Sequence, residues 1–348
     1  MISDFELALQ ELLEGEKPLS YRLLSMLSCP TREETLAFAA FWETIDSQRR
    51  RELITRMVEL AEERFELDFV DLFRYCLGDT DPAVRRLAIE GLWEAEGNDL
   101  ATALIKMVAS DPDEEVRAAA ASSLGRFLFM AECEELHERY AQMIREALEQ
   151  LIADADEPVE VVRRAVESIA FINDDRVRQI IGRAYAHPDP RMRVSAVFAM
   201  GRSAEQVWAE NVLGELENES VDMRYEAARA SGELQLKRAV PQLVKMVQGS
   251  DRELQNVSIW ALGQIGGKQA RKALEHVIES GDDDQSAAAT EALNEMDLLE
   301  QPLDLFVYDP GETEWDEVGM EGFEDEEEED EDEESDLDEW QDEFLDLD

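Results

Sequence analysis

The chain has 348 residues, 44% of them apolar, and its 84 Asp and Glu against 33 Lys and Arg give a formal net charge of -51. Apolar content is sufficient for a core, and the scarcity of Gly (17) and Pro (10) favours helices over a loop-rich β fold. A charge of this sign disfavours nucleic acid and anionic membrane surfaces and favours cationic partners.

The charge is uneven. Residues 301–348 hold 25 of the acids and no Lys or Arg, leaving 59 acids against 33 bases, net -26, in residues 1–300. Cys29, Cys76 and Cys133 are widely scattered, which reads as buried small residues rather than a disulfide framework or a metal knuckle. No stretch approaches the ~20 apolar residues of a membrane span. The opening MISDFELALQELLEGE lacks the pattern of a signal peptide. A soluble, cytoplasmic protein is expected, with a monomer favoured.

Residues 1–67 are predicted helical, in segments such as DFELALQELLEG, TREETLAFAAFWETI and SQRRRELITRMVELAEERFE. Thr31 followed by Glu34 forms a capping box that starts a helix. These off-pattern helices are expected to close one end of a stack, with Phe38, Phe41 and Trp42 packed inside the cap. A partner-binding aromatic patch is the alternative reading.

Residues 68–300 are repetitive: DPAVRRLAIEGLW, DPDEEVRAAAASSLG, EPVEVVRRAVESIAF, DPRMRVSAVFAMG, ESVDMRYEAARASG, SDRELQNVSIWALG and a degenerate GDDDQSAAATEALN. The apolar residue before the arginine sets an anchor at Val84, Val116, Val162, Met192, Met223 and Leu254, with Ser286 in the last copy. Successive anchors are 32, 46, 30, 31, 31 and 32 residues apart. Asp-Pro starts a helix through its capping carboxylate and its first-turn proline. Glycine nine residues past the anchor (Gly125, Gly201, Gly232, Gly263) is expected to end that helix in a left-handed conformation. A second apolar helix follows each first one. A unit of ~31 residues cannot bury its own apolar face, so an all-α, right-handed α-solenoid of about seven stacked antiparallel helix pairs is predicted. The long interval places an insertion within 126–152, read as a loop and a longer helix ending near Ile152. It either shapes a binding surface or simply extends the second helix.

These repeats resemble the HEAT-repeat family, in particular the short HEAT-like repeats first associated with phycobilisome lyases, over roughly residues 68 to 296. The resemblance implies a hydrogen-bonded ladder between turn aspartates and helix arginines. Asp81 with Arg85, Asp113 with Arg117 and Asp189 with Arg193 match it. Arg163 and Arg224 keep only the arginine, with Val159 and Ser220 at the acidic position. Gln255 and Ala287 break the pattern, so the ladder is expected to end near the fifth copy. The resemblance also raises a bilin lyase, which would need an aromatic-lined apolar groove, whereas aromatics are only 7% of the chain. A di-iron hydroxylase of this repeat class would need several His-Glu pairs. The only histidines are His137, His187 and His276, and only His137 precedes a glutamate.

No nucleotide-binding or nucleophile-elbow motif is present, so no catalytic, cofactor-binding or metal-ligating residues are assigned. Residues 160–202 carry a local basic excess in Arg163, Arg164, Arg176, Arg178, Arg183, Arg191, Arg193 and Arg202. That excess is modest on an acidic body, which makes nucleic acid an unfavoured partner. Residues 301–319, with LDLFVYDPGETEW, read as a C-terminal extension that caps the last repeat. Residues 320–348 read as a disordered acidic tail. Within that tail Leu337, Trp340, Phe344 and Leu347 fall on one helical face behind a Ser335–Asp338 capping box. Such a motif is expected to fold on binding a groove that is apolar inside and basic at its rim. The acidic body repels its own tail, which favours a target in trans over docking on residues 160–202. The combined expectation is a non-enzymatic scaffold for a protein with a basic or mixed basic and apolar surface. The alternatives are a lyase-like or ligand-binding solenoid and an acidic chaperone of a basic nucleic-acid-binding protein.

Overall fold

The computed structural model describes residues 3–13 and 19–300; the extension 301–319 and the acidic tail, including Leu337, Trp340, Phe344 and Leu347, lie outside the described residues. The described residues hold eighteen α-helices, two short 3-10 helices and no strand. The chain starts with α1 (Asp4–Leu13), α2 (Tyr21–Ser25), α3 (Arg32–Trp42), α4 (Ser47–Glu63) and α5 (Val70–Cys76). Pairs follow: α6 (Pro82–Gly91) with α7 (Asn98–Ser110), α8 (Glu114–Glu132) with α9 (Glu138–Ala153), and α10 (Val159–Ile169) with α11 (Asp175–Tyr185). Next come α12 (Pro190–Arg202) with α13 (Ala209–Glu215) and α14 (Val221–Glu233) with α15 (Val240–Val247). The last are α16 (Arg252–Ile265), α17 (Gly267–Ser280) and α18 (Asp283–Glu300). The fold is the solenoid of stacked antiparallel helix pairs that the repeat spacing predicts.

The pairs form two rows. Even-numbered helices from α4 to α18 each pack closely on the next, and the odd-numbered helices cover their other side with sparser contacts among themselves. The close row follows from small residues. Within α8, α12, α14 and α16, a Cβ built on Gly125, Gly201, Gly232 or Gly263 would lie 2.9 to 3.1 Å from Cα or side-chain atoms of Ser168, Ala230, Ala261 or Ala292 on the next helix. These glycines therefore do not end their helices, as the sequence reading expected; they sit inside them, where the next backbone presses closest. The left-handed residue comes three positions later, at Ala204 (φ 53), Gln235 (φ 52) and Gly266 (φ 65).

Caps fix the register. Asp81, Asp113, Asp189 and Asp251 accept hydrogen bonds from backbone amides of the first helical turn, and the apolar anchor lies three residues past each cap. The cap of α10 is Pro158, which makes Val161, 0% exposed, the anchor of that copy and moves Val162 one place onward. In the last copy the Asp282 carboxylate accepts from the Gln285 amide, so the anchor is Gln285 rather than Ser286.

The insertion lengthens both members of a pair. α8 runs 19 residues and α9 runs 16, with only residues 133–137 between them. At the amino-terminal end the Thr31–Glu34 capping box is formed. Phe38, Phe41 and Trp42 are buried, and the Trp42 indole N–H donates to Asp79 at 2.5 Å. α4 joins the close row, capped by Asp46.

Candidate functional site

In four copies the arginine four residues past the cap donates to a backbone carbonyl six residues before it, in its own turn. Arg85 reaches the carbonyl of Asp79 and Arg117 that of Asp111, both at 2.8 Å; Arg224 reaches that of Asn218 at 2.7 Å. Arg193 makes longer contacts of 3.5 Å to the carbonyls of His187 and Pro188, and Gln255 keeps the pattern through Gly249 at 2.7 Å. Among the described residues, arginines at this position pair with an acid of the next turn at the amino-terminal end only. Arg50 meets Asp79 at 3.3 Å, Arg85 grips both oxygens of Asp111 at 2.8 Å, and Arg117 meets Glu157 at 2.7 Å.

The acid of each rung is thus not the capping aspartate that the sequence reading chose. Asp81, Asp113 and Asp189 spend a carboxylate oxygen on the amides of Ala83, Glu115 and Arg191. Asp79 and Asp111, two residues earlier, stand between one turn and the preceding arginine. Burial opposes the charge on Asp81, but the hydrogen bond from Arg51 and the Ala83 amide overcome it and hold its carboxyl below the usual range. Asp189, beside the Arg191 side chain and amide, is lowered to about 2.

Nor does Arg163 occupy a ladder position. With the cap at Pro158, Val162 stands there instead, and Arg163 turns along its own helix to Glu160 at 2.6 Å and Glu167 at 3.2 Å. The ladder therefore stops in the third copy rather than near the fifth. In later turns the rung acid is replaced by His187, Asn218 and Gly249.

The basic residues of 160–202 do not assemble into one patch. Arg163, Arg164 and Arg202 lie on α10 and α12 in the close row, whereas Arg176, Arg178 and Arg183 lie on α11 in the other. Most are paired with acids: Arg164 with Glu160 and Glu167, Arg176 with Glu149, Arg178 with Glu205, Arg191 with Asp189 and Arg202 with Glu233. Their charge is largely paired within the stack.

What the stacking does assemble is a spine of alternating aromatic and arginine side chains across the exposed side of the close row. Phe129 of α8 packs on Phe171, just past α10, with ring centroids 5.5 Å apart. The Arg202 guanidinium of α12 lies over the rings of Phe171 and Phe198, at 5.9 and 5.4 Å. Arg229 of α14 covers the other contact of Phe198 at 3.9 Å. Such cation–π contacts align flat apolar faces with fixed charges. Trp93 and Trp260 lie further along the same row, and Trp93, Phe129 and Trp260 are 54%, 51% and 36% exposed. Two grooves of about 690 and 430 Å³ run between these side chains and meet at Ser122, Arg126 and Arg164. Arg126 donates to the carbonyls of Leu92 and Ala95, and burial pushes its guanidinium down against the pull of Glu96 and Glu94. Phe198, Arg229 and Trp260 share one position in their repeats, but Phe129 and Phe171 do not, so the sequence alone does not display the face as a whole.

The three histidines stand apart. His137 caps α9, His187 accepts from the Asp189 amide at 3.1 Å, and His276 lies on α17. Among the described residues no group of His, Cys, Asp and Glu is arranged to hold a metal ion, and no helix is long and apolar enough to cross a membrane.

Comparison with curated protein sequences gives no match. Similar solved structures include the Escherichia coli protein YibA, 18% identical over 81% of this chain and 98% of that one, with a TM-score of 0.45. The CpcE and CpcF complex of phycocyanin lyase from Nostoc sp. PCC7120 is 21% identical over 66% of this chain and 94% of that one, with a TM-score of 0.42. Human deoxyhypusine hydroxylase, in complex with glycerol, is 16% identical over 76% and 96%, with a TM-score of 0.33. A sequence profile describing HEAT repeats matches residues 46–125, 70–150 and 209–294, more than half of the chain. The chain belongs to the HEAT-repeat family.

Proposed function

We propose that this solenoid is a non-enzymatic scaffold that holds a protein partner against the exposed side of α8 to α16, with the acidic segment 320–348 as a second, separate binding element. The observation that carries the reading is the spine of Phe129, Phe171, Arg202, Phe198 and Arg229. Aromatic residues and arginine are the side chains that dominate binding energy at protein interfaces, and here they sit together at a surface. The partition into cap, repeats, extension and tail belongs to the same proposal. The tail's charge and its four apolar residues suit a partner with a basic or mixed basic and apolar surface.

Affinity capture from the source cells tests the scaffold reading, with three baits: the full chain, a truncation after Gly319, and Phe198→Ala combined with Arg202→Glu. The face variant should keep its helical circular dichroism and lose a defined partner, while the truncation should lose one whose retention is salt-sensitive. Identical partner sets from all three baits would end the proposal. The 430 Å³ groove, lined by Phe129, Phe171 and Phe198, supports a second reading as a pigment-binding or lyase-like surface. Co-expression with a bilin separates the two, since only the second yields a coloured protein.

A further inference from the structure

The third copy leaves a cavity where the ladder lacks its arginine. Val162 is four residues past the cap Pro158, the position held by Arg50, Arg85, Arg117, Arg193 and Arg224 in other copies. Shortening a side chain from arginine to valine removes the group that elsewhere fills the space beside the next turn. α9 and α11 make at most glancing contact across this point, so the outer row does not close over it. The result is a cavity of about 590 Å³. Its floor is apolar, with Val162, Val166, Ile180 and Met192, and its rim carries Arg183 and His187. That volume falls inside the ~300–1,000 Å³ range of small-molecule sites.

The rim chemistry decides the ligand. Two of its three acids, Glu149 and Glu157, are ion-paired: Glu149 with Arg145 at 2.9 Å and Arg176 at 2.7 Å, and Glu157 with Arg117 at 2.7 Å. Asp154 accepts from the Asp156 amide at 2.9 Å. Arg183 is exposed, gives its Nε to the Gln179 carbonyl at 3.3 Å, and forms no ion pair among the described residues. His187 accepts at Nδ1 from the Asp189 amide, so the neutral ring carries its proton on Nε2 as a donor. At the next turn His187 replaces the carboxylate that receives a guanidinium in the first copies, so that turn presents a donor where an acid stands elsewhere. Arg183 and His187 thus place two donors side by side in the lining, above an apolar floor, while Asp154, at the carboxyl-terminal cap of α9, keeps a carboxylate with no ion pair among the described residues.

We infer that the cavity at the missing rung between the third and fourth repeats, floored by Val162 and rimmed by Arg183 and His187, is a binding site for a small apolar molecule carrying a carboxylate. This inference is independent of the partner face on α8 to α16, which lies on the other row's side of the stack. The site binds the apolar body against Val162, Val166 and Met192 and pairs the carboxylate with the Arg183 guanidinium.

Ligand-observed NMR on the full chain tests it with three probes of one shape: 4-phenylbutyrate, 4-phenylbutanamide and 4-phenylbutylamine. The acid should bind, the amide about tenfold more weakly, as loss of a charge-assisted hydrogen bond implies, and the amine least. Val162→Arg restores the ladder side chain, fills the cavity and should abolish binding of all three. Arg183→Gln, at an exposed position, should bring the acid down to the affinity of the amide; it keeps the test decisive if Val162→Arg does not fold. The inference is overturned if the acid fails to bind at millimolar concentration, if acid and amine bind equally, or if Arg183→Gln leaves the acid's affinity unchanged.

Discussion

Replacing Gly232 with alanine separates a packing role for the helix glycines from a helix-ending one. A Cβ there would lie 2.8 Å from Cζ3 of Trp260, 3.0 Å from Cα of Ala261 and 3.2 Å from its Cβ. Optimal carbon contacts are about 3.5–4.0 Å. Trp260 is partly exposed and can swing aside, but Ala261 Cα is backbone inside α16, and α16 cannot retreat without opening the close row. Overpacking of this kind costs about 1–3 kcal/mol, while alanine gains about 0.5–1 kcal/mol over glycine as a helix former. The two ranges leave a net loss of up to about 2.5 kcal/mol, centred near 1 kcal/mol. Gly214 on α13 is the control, because a Cβ there meets nothing within 4 Å. Gly214→Ala should keep the propensity gain and stabilise by about 0.5–1 kcal/mol. Urea unfolding followed by far-UV circular dichroism should therefore shift the two midpoints in opposite directions. A Gly232→Ala protein as stable as the parent would refute the close-packing argument.

Other predictions come from the ladder and its acids. Arg85→Ala strands the Asp111 carboxylate in a place where the two side chains are only 11% and 7% exposed, and should destabilise by about 3 kcal/mol. Arg224→Ala, which loses hydrogen bonds to carbonyls and no rung acid, should cost about 1 kcal/mol in the same unfolding assay. Because the folded-state Asp81 carboxyl is lowered, its contribution is present above its unfolded value of about 3.9 and is lost as pH falls through the folded value. Asp81→Asn should accordingly flatten the acid limb of the stability profile below pH ~4, whereas an unchanged slope would remove Asp81 from the account. Tyr185, pushed up to about 12 by burial and by its bond to Glu215, should ionise above the ordinary phenol value of about 10 in an ultraviolet titration, a late step that Tyr185→Phe removes.

The repeat was legible because caps and anchors are local chemistry: an aspartate before a helix and an apolar residue three places on. The ladder was only half legible. Asp79 and Asp81, or Asp111 and Asp113, carry the same group two residues apart, and the sequence does not show which one the helix amides consume. In the third copy, two adjacent valines before Arg163 left the anchor ambiguous by one residue. The observed start of α10 chooses Val161, and that single step turns Arg163 from a ladder residue into a partner of Glu160 and Glu167. At α4 the spacing of Asp46 and Arg50 repeats that of Asp81 and Arg85, but Arg49 stands where an apolar anchor is expected. The aromatic face was not legible as a whole. Phe198, Arg229 and Trp260 share one column, 9 residues past their caps, but Phe129 stands 16 past its cap and Phe171 13 past its own, so no single column displays the whole face. Phe129 joins the face through the lengthened α8, which carries it beside Phe171.

The scaffold reading is tested most directly by photo-crosslinking in the source cells, with a benzophenone amino acid at Phe198 in one protein and at Glu210, exposed on α13 of the other row, in a second. The account predicts a discrete crosslinked adduct from position 198, reduced by Arg229→Glu, and none of the same mass from position 210. Equal adducts from both positions, or an adduct from 210 alone, would contradict it.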